Sequence, residues 1–386
     1  MDAGDSITRV AASRLHLSIR VPLTPSSTKG KALGPFHVTE RRKFGRAGWS
    51  TSLAGFGSVA LGNMGKVMTT DTARSLIRHA WDYGVRLFDT APMYGHGLAE
   101  YRLADELMDR DRNDYALITK VGRTLHPAPK GTFDTGPWLE TPPMRMEYDY
   151  SYDGVMRQVE DSLQRMGTDR FDALLVHDTD RWTHGNQYLQ RFHDAVNGAF
   201  KALQALRDQK VVSAIGIGVN ETDICIAAAN AADIDCVLIA GTYNLLDQQA
   251  DNHLLPLCRE RGIAVINGRI FGSGILATGT QPNARFNYAP ASADIMAKVR
   301  PIEDVCRSYN VPLGAVAAQF AAAHPAITNI CMGAGSLEQQ NQNYSWLEQD
   351  IPSELWNQLT AEGLLDPNVP TPALTYKSST PARKST

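Results

Sequence analysis

The chain has 386 residues, of which 43% are hydrophobic, so it is long enough to bury a large core. Its 38 basic and 41 acidic residues nearly balance and form no long run of one sign, which argues against a nucleic-acid-binding surface. No apolar stretch approaches the about 18 residues of a membrane-spanning helix, so we expect partners to be small molecules rather than nucleic acid or membrane.

The cysteines are far apart in the sequence and form no CxxC pair. This spacing predicts neither a disulfide framework nor a metal site, and it fits a reducing, cytoplasmic compartment. Because most of them lie in or beside apolar runs, we expect small core residues at these positions. They are Cys225, Cys236, Cys258, Cys306 and Cys331.

Three regions follow one another along the chain. Residues 1–40 are rich in Ser, Pro, Lys and Arg, and we predict a flexible N-terminal extension there. Its arginines are also a feature of transit peptides, but Asp2 and Asp5 argue against that reading. Residues 41–366 are predicted to form one barrel domain, and residues 367–386 a flexible C-terminal tail.

From Leu53 onward, short apolar runs alternate with amphipathic stretches of helical length, a rhythm that predicts repeated βα units. The eight predicted strands are Leu53–Ser58, Val85–Asp89, Tyr115–Val121, Phe171–His177, Ser213–Gly218, Cys236–Ala240, Ala264–Asn267 and Ile327–Met332. The helical patterns between them include Thr72–Tyr83, Val155–Met166, Phe200–Gln209, Glu221–Ala231 and Leu254–Arg261.

Eight βα units in this length predict an α/β fold, a closed (β/α)₈ TIM barrel, rather than an open doubly wound sheet. A dinucleotide-binding Rossmann domain should also carry a GxGxxG turn after its first strand, and the sequence has none there. Upstream, Arg42–Gly45 and Ser50–Leu53 are predicted to form a β-hairpin that closes the barrel bottom. The long, irregular segment 122–150 is predicted to be a functional cover at the barrel mouth. A second long insertion, over about 271–290, follows the seventh strand.

Polar residues end three successive predicted strands, and in such barrels the active site lies at that end. They are Asp89, Lys120 and His177, and Tyr94 follows in the loop after Asp89. Singly, each residue has an ordinary structural interpretation, such as a helix cap, a solvated lysine or a core histidine. Together on neighbouring strands they predict a catalytic group.

The ionisable groups of these side chains indicate the reaction that they could catalyse. A neighbouring Lys120 ammonium is expected to lower the pKa of the Tyr94 phenol, and Asp89 is the natural partner for a buried Lys120. His177 is expected to orient a substrate oxygen beside Tyr94. The group therefore predicts general acid/base catalysis at a carbonyl or carbinol oxygen.

These residues, in the segments 84–95, 118–122 and 174–177, resemble the aldo-keto reductases over most of the chain, from about Arg42 to Leu365. The segments 148–166, 243–248, 274–279 and 287–290 are similar to the branch that holds D-threo-aldose 1-dehydrogenase (L-fucose dehydrogenase) and pyridoxal 4-dehydrogenase. The resemblance implies Tyr94 as proton donor or acceptor, supported by Asp89, Lys120 and His177.

The resemblance also implies a nicotinamide cofactor that lies across the barrel top. Asn220 matches the residue that holds the carboxamide, although Val219 replaces its usual serine neighbour, and Gly268 stands where many members carry a stacking tyrosine. The residues implied to hold the cofactor are Asp89, Asn220, Gly272, Ser273, Gly333, Gly335, Ser336, Gln339 and Asn343. The resemblance implies that Gly272 and Ser273 lie where a loop meets the cofactor diphosphate.

The type of cofactor is predicted from one segment of the chain. NADP needs charge-assisted donors for its 2′-phosphate, and relatives that prefer it usually place Arg or Lys in the segment after the eighth strand. Here the corresponding positions hold Gly335 and Gln339. We therefore predict NAD as the cofactor rather than NADP.

The substrate is expected among polar loops with aromatic walls, and Trp138 and Trp182 are the predicted substrate contacts beside Tyr94 and His177. The favoured reading is oxidation of the C1 hydroxyl of an aldose, of the L-fucose or D-threo-aldose type, to an aldonolactone. The alternative enzyme converts pyridoxal to 4-pyridoxolactone. A third reading, from another class, is a non-catalytic regulatory barrel that binds the cofactor. The sequence predicts no particular oligomeric state.

Overall fold

Short apolar runs that are buried on both faces form the eight strands of a closed parallel barrel. In order around the ring, these strands begin at Cys236, Ala264, Ile327, Ala54, Leu87, Ala116, Phe171 and Val212. The computed structural model describes residues 35–373. Its strands are β1 Arg41–Lys43, β2 Ser50–Ser52, β3 Ala54–Gly57, β4 Leu87–Asp89, β5 Ala116–Val121, β6 Arg123–Pro127, β7 Met144–Tyr148, β8 Phe171–His177, β9 Val212–Val219, β10 Cys236–Ala240, β11 Ala264–Gly268, β12 Arg285–Phe286, β13 Ala289–Pro290 and β14 Ile327–Met332. The eight predicted strands are those of the barrel, so the predicted (β/α)₈ fold is confirmed.

Helices connect the strands and cover the outside of the barrel. They are α1 Thr70–Tyr83, α2 Leu98–Leu107, α3 Tyr152–Met166, α4 Arg181–His184, α5 Tyr188–Asp194, α6 Phe200–Asp208, α7 Thr222–Ala231, α8 Gln249–Asn252, α9 Leu254–Arg261, α10 Ile275–Thr278, α11 Ala293–Ser308, α12 Leu313–Ala323, α13 Leu337–Glu348 and α14 Ser353–Ala361. Serine or threonine caps fix several starts, as at Thr69, whose side chain accepts from Thr72 N, and Ser151, whose side chain accepts from Gly154 N.

The predicted hairpin forms and closes the barrel bottom. β1 pairs antiparallel with β2, and the connection between them carries Phe44, which is fully buried. Phe44 stacks on Trp49 with a ring-centroid distance of 4.0 Å and packs in one cluster with the inward-facing strand residues of the barrel. An aromatic plug of this kind keeps the barrel interior a packed core, which leaves only the opposite end open for a site.

The segment 122–150 differs from its prediction. It is not irregular throughout, because β6 and β7 pair antiparallel from Arg123 with Tyr148 to Pro127 with Met144. Burial falls along β6 from Arg123 to Pro127, and residues 128–143 between the two arms form a loop. The mouth cover is therefore a β-ribbon with a loop at its tip. The second insertion contains α10 and the short β12–β13 hairpin.

The packed part of the chain reaches beyond residues 41–366, since Phe36, Val38 and Val369 are buried. Residues 1–34 and 374–386, which make up most of the predicted extension and tail, lie outside the described residues. All five cysteines are free and buried, as predicted for core residues. None of the helices within residues 35–373 is long and apolar enough to cross a bilayer.

Candidate active site

Strand register brings three polar side chains to the open end of the barrel. Residues two apart on a strand share a face. Asp89, Lys120 and His177 each stand two positions after a residue of the interior cluster, namely Leu87, Ile118 and Leu175. They therefore point into the barrel at the carboxyl ends of β4, β5 and β8, the end that carries catalytic residues in this architecture.

The loop after β4 turns Tyr94 back over this group. Gly62 and Gly95 let two backbone segments touch: a Cβ at Gly62 would lie 2.6 Å from Gly95 N, and one at Gly95 would lie 2.5 Å from Gly62 O. Gly95 also has a φ of +68°, which favours glycine. The close approach fixes the conformation of the loop, and it leaves Tyr94 9% exposed at the mouth of the barrel.

Lys120 is the centre of the group. Its Nζ lies 2.8 Å from each carboxylate oxygen of Asp89, 2.8 Å from the Thr90 carbonyl oxygen and 3.1 Å from the Tyr94 hydroxyl. Lys120 is only 1% exposed, and a buried ammonium is tolerated when it is paired and hydrogen-bonded, as it is here. The predicted Asp89–Lys120 pair therefore forms, and it holds a cation against the Tyr94 phenol.

The predicted lowering of the Tyr94 pKa is wrong. Burial raises the pKa of the Tyr94 phenol well above its usual value, and the negative charges of Asp89 and Asp178 raise it further. Lys120 does not reverse this, because Asp89 neutralises its charge at 2.8 Å. Tyr94 is thus a protonated phenol at neutral pH, with Lys120 as a hydrogen-bond partner rather than as the source of a resting phenolate.

His177 faces the Tyr94 ring edge-on, with ring centroids 5.9 Å apart. Burial lowers the pKa of His177 well below its usual value, and the cations Arg123 and Lys120 act in the same direction. The imidazole is therefore neutral near pH 7, with one nitrogen able to donate and the other to accept. A neutral imidazole and a phenol side by side form a pair that can hold a substrate oxygen.

Arg123 and Asp178 form a buried ion pair beside His177 that the sequence reasoning did not assign to the site. Arg123 Nη2 lies 2.8 Å from Asp178 Oδ2, and this oxygen lies 3.4 Å from His177 Nε2. Asp178 has a φ of +49°, an uncommon conformation that the Arg123 contact and the Tyr150 hydroxyl, 3.0 Å from the Asp178 carbonyl oxygen, help to hold. Asp178 directly follows the candidate His177 in the sequence, a signal that could have found it, whereas Arg123 lies on β6, a strand that the sequence does not predict.

Asn220, the predicted carboxamide partner, is fixed by carboxylates. Its backbone N and its Nδ2 lie 2.6 and 2.9 Å from Asp180 Oδ2, and Nδ2 also lies 3.4 Å from Asp178 Oδ1. Asp180 in turn accepts from Thr183 N as the cap of α4. The structure therefore links Asn220 to His177 through Asp178, which places the predicted nicotinamide contact on the same side of the mouth as the imidazole.

The other predicted cofactor residues lie on two turns. Gly272, Ser273 and Gly274 all have positive φ, and a Cβ at Gly274 would meet nothing within 4 Å, so this turn leaves open space beside its backbone. After β14, Ser336 caps α13 and accepts from Gln339 N, at a helix N-terminus that suits phosphate. Both turns therefore fit a dinucleotide, and open backbone at glycine suits its close approach.

The side chains of the second turn also contact one another. Gln339 Oε1 accepts from Gly335 N at 2.8 Å, and Asn343 Nδ2 donates to the Gly333 carbonyl oxygen at 3.3 Å. These bonds shape the turn between β14 and α13. No lysine or arginine stands in residues 333–343.

The two predicted substrate tryptophans lie in different places. Trp138 packs beside Tyr94 with ring centroids 5.9 Å apart, but it is 3% exposed and so shapes the wall from behind. Trp182 is 53% exposed and lies by the guanidinium of Arg269, which the sequence analysis did not single out. The Tyr288 ring lies near the same guanidinium, with its centroid 5.4 Å from Arg269 Cζ.

A buried lysine–carboxylate pair contacts a phenol beside a neutral imidazole at the mouth of a parallel barrel. These groups can bind a carbonyl or hydroxyl oxygen and transfer a proton to or from it. Comparison with known proteins agrees. The sequence pattern described as "Aldo/keto reductase family" matches residues 54–362. The chain belongs to this family, whose members use nicotinamide cofactors, and it is an oxidoreductase.

Two similar relatives lie in the branch that the sequence resembles. Pyridoxal 4-dehydrogenase from Microbacterium luteolum is 42% identical over 342 residues, which cover 85% of this chain and 98% of the relative. D-threo-aldose 1-dehydrogenase from a Pseudomonas species is 34% identical over 335 residues, which cover 84% and 97%. Both are dehydrogenases, so the reading as a non-catalytic regulatory barrel loses its support.

Solved structures show the same fold. An aldo-keto reductase from Bacillus halodurans matches with a TM-score of 0.65 at 22% identity, over 86% of this chain and 98% of its own. A glycerol dehydrogenase from Gluconobacter oxydans matches with a TM-score of 0.66 at 18% identity, over 86% and 97%. At such identities the likeness supports the fold and says nothing about the substrate.

Proposed function

We propose that this protein is an NAD-dependent dehydrogenase that oxidises a cyclic hemiacetal at its anomeric carbon and so forms a lactone. The observation that carries the proposal is the Lys120 centre: one buried ammonium contacts the Tyr94 hydroxyl at 3.1 Å while Asp89 balances its charge. Aromatic rings and a neutral His177 beside that hydroxyl suit a small substrate with a ring oxygen and a reacting hydroxyl.

Tyr94 and His177 have different roles at the reacting hydroxyl. Tyr94, once it has lost its own proton, takes the proton of the hydroxyl, and Lys120 stabilises the phenolate in that state. His177 is neutral and holds the substrate oxygen in place. As the O–H bond breaks, its electron pair forms the new C=O bond, and the C–H electron pair leaves the same carbon as hydride. A bound nicotinamide ring, whose carboxamide Asn220 would hold, would supply the acceptor for that hydride.

The residues proposed to hold the cofactor are those of the two turns and the strand ends: Asp89, Asn220, Gly272, Ser273, Gly333, Gly335, Ser336, Gln339 and Asn343. The choice of NAD is supported by the absence of Lys and Arg from residues 333–343, where Glu338 is the one charged side chain. A 2′-phosphate at this turn would lack a charge-assisted donor and would face a carboxylate.

Pyridoxal, in its hemiacetal form, is the first substrate to test, with 4-pyridoxolactone as the product. The support is the 42% identity to pyridoxal 4-dehydrogenase over nearly the whole relative. This order reverses that of the sequence-based expectation, because aromatic walls such as Trp182 suit a planar ring at least as well as a sugar.

An aldose oxidised at C1 is the second candidate, supported by the 34% identity to D-threo-aldose 1-dehydrogenase. The buried Asp178 and Arg123 beside His177 also favour it, since such pairs can bond sugar hydroxyls.

Initial rates of NADH formation test both substrates. Pyridoxal, L-fucose, D-arabinose and L-galactose are each assayed with NAD⁺ and with NADP⁺, and the products are identified by mass spectrometry. We expect lactone formation with NAD⁺ and at least one of these hemiacetals, and its loss in Tyr94→Phe. Oxidation of none of them by the wild-type protein would overturn the proposal.

A further inference from the structure

Arg269 follows β11 directly and carries two guanidinium nitrogens, Nε and Nη1, whose N–H groups have no acceptor among the described residues. Its Nη2 donates to the Ala240 carbonyl oxygen, whereas Nε and Nη1 are buried and have no hydrogen-bond partner among the described residues. Its φ of +53° is also uncommon for a residue with a side chain. Leaving charged donors buried and unpaired is costly, which suggests a role beyond packing.

Two aromatic rings lie near the guanidinium. The Arg269 Cζ lies 5.5 Å from the ring centroid of Trp182 and 5.4 Å from that of Tyr288, within the range of cation–π contact. Both rings are large and partly exposed, at 53% and 41%. Gly241 lies against the guanidinium on another side, because a Cβ there would come 2.4 Å from Arg269 Nε.

Tyr288 ties this cluster to a predicted cofactor turn. It stands with Asn287 in a two-residue hairpin turn in which both residues have positive φ. Its backbone N donates to Ser273 Oγ at 3.1 Å, and Ser273 is one of the residues implied to meet the cofactor diphosphate. The unpaired donors therefore lie next to the turn where that diphosphate is expected.

The charge balance points to an anion at this place. The proposed cofactor residues include one anion, Asp89, and no cation, yet a dinucleotide brings two negative charges on its diphosphate. Asp247 is close enough to Arg269 to interact with it electrostatically. Its oxygens are occupied by Gln249, whose backbone N and Nε2 lie 3.0 and 3.4 Å away, and it accepts no hydrogen bond from Arg269.

We propose that Arg269 binds the diphosphate of the nicotinamide dinucleotide and is its counter-ion, with Trp182 and Tyr288 as the walls that hold the guanidinium in place. Nε and Nη1 supply two charge-assisted donors to phosphate oxygens. This role presupposes the proposed use of a dinucleotide, but it does not depend on which substrate is oxidised.

Binding calorimetry without substrate tests this role. The ligands are NADH and ADP-ribose, which keeps the diphosphate but lacks the nicotinamide. The variants are Arg269→Met, Arg269→Lys and, as a matched control, Arg181→Met, which removes an exposed arginine paired with Glu221. Circular dichroism and thermal melting establish that each variant is folded.

We expect Arg269→Met to lower the affinity for both ligands about 10- to 100-fold, because it removes hydrogen bonds to a charged group. Arg269→Lys should recover part of the affinity, Arg181→Met should match the wild type, and Arg269→Met should show a weaker dependence of affinity on salt. If Arg269→Met does not fold, Arg269→Lys tests the proposal instead. Its ammonium cannot reproduce the planar two-donor geometry of the guanidinium, so this variant should still bind ADP-ribose more weakly than the wild type.

Two results would overturn the proposal. One is unchanged ADP-ribose affinity in a folded Arg269 variant. The other is a raised KM for the substrate at saturating NAD⁺ in a variant that still binds NADH as the wild type does, which would assign the guanidinium to the substrate instead. Failure of the proposed oxidation is a separate result, since ADP-ribose binding needs no turnover.

Discussion

Replacing Lys120 by methionine, which keeps the side-chain length, should destabilise the fold by about 3–5 kcal/mol at pH 7. The variant loses contacts of 2.8 Å to both Asp89 oxygens and to the Thr90 carbonyl oxygen, and it leaves Asp89, which is 3% exposed, without a counter-ion. The cost is mainly that of an unpaired buried carboxylate. Asp89→Asn should also be costly, because it leaves the ammonium unpaired.

The double variant Asp89→Asn/Lys120→Met separates pairing from packing. A neutral amide and a thioether need no counter-ion. We therefore expect the double variant to lose less free energy of unfolding than the two single variants lose together, by about 1–3 kcal/mol. The exposed pair Arg307–Asp304, at 2.7 Å, is the control, and its removal should cost less than about 1 kcal/mol.

Urea denaturation at pH 7 and at pH 4.5 measures these losses from the transition midpoints. In Lys120→Met the pKa of the buried Asp89 carboxyl should lie above its unfolded value, so the deficit is smallest at low pH and grows as the pH rises. Additive single losses, or a Lys120→Met deficit that does not change with pH, would refute the account of a charge-balanced centre.

Three further predictions concern catalysis. Tyr94→Phe should lower kcat about 10²- to 10⁴-fold and leave NADH affinity nearly unchanged in calorimetry; near wild-type turnover would remove Tyr94 as the proton carrier. Because burial raises the pKa of Tyr94, the oxidation rate should climb with pH through the alkaline range with a slope near one on a logarithmic plot, and a plateau below pH 8 would contradict this. NAD⁺ should exceed NADP⁺ in kcat/KM by at least about tenfold, and Gln339→Arg should narrow that ratio; equal use of both cofactors by the wild type would contradict the reading of residues 333–343.

The barrel could be predicted because its strands are short apolar runs whose ends are marked by polar residues. All eight barrel strands and the helix Leu254–Arg261 lie where the hydrophobic pattern predicts them, since burial on both faces leaves a strong signal. The β6–β7 ribbon was missed because one face of it is exposed and its residues, such as Arg145 and Glu147, are charged. A pattern of this kind reads as loop.

The proximity of the candidate catalytic side chains could be predicted because neighbouring parallel strands end at one level. Contacts that cross the mouth could not. Arg123 reaches Asp178 from a ribbon that the sequence did not reveal. Arg269, directly after β11, meets Trp182 of α4 and Tyr288 of the β12–β13 turn. Such contacts depend on how loops fold over one another, and no periodicity in the sequence encodes that arrangement.

The raised pKa of Tyr94 changes how the centre is best understood. A lysine that is fully balanced by Asp89 does not create a resting phenolate, so Tyr94 holds its proton and is ready to donate it to a carbonyl oxygen. In the oxidative direction the same phenol must first lose that proton, and Lys120 then stabilises the phenolate only while it is needed. The rate of oxidation should therefore rise with pH as Tyr94 loses its proton, whereas the rate of reduction should be highest where Tyr94 is protonated.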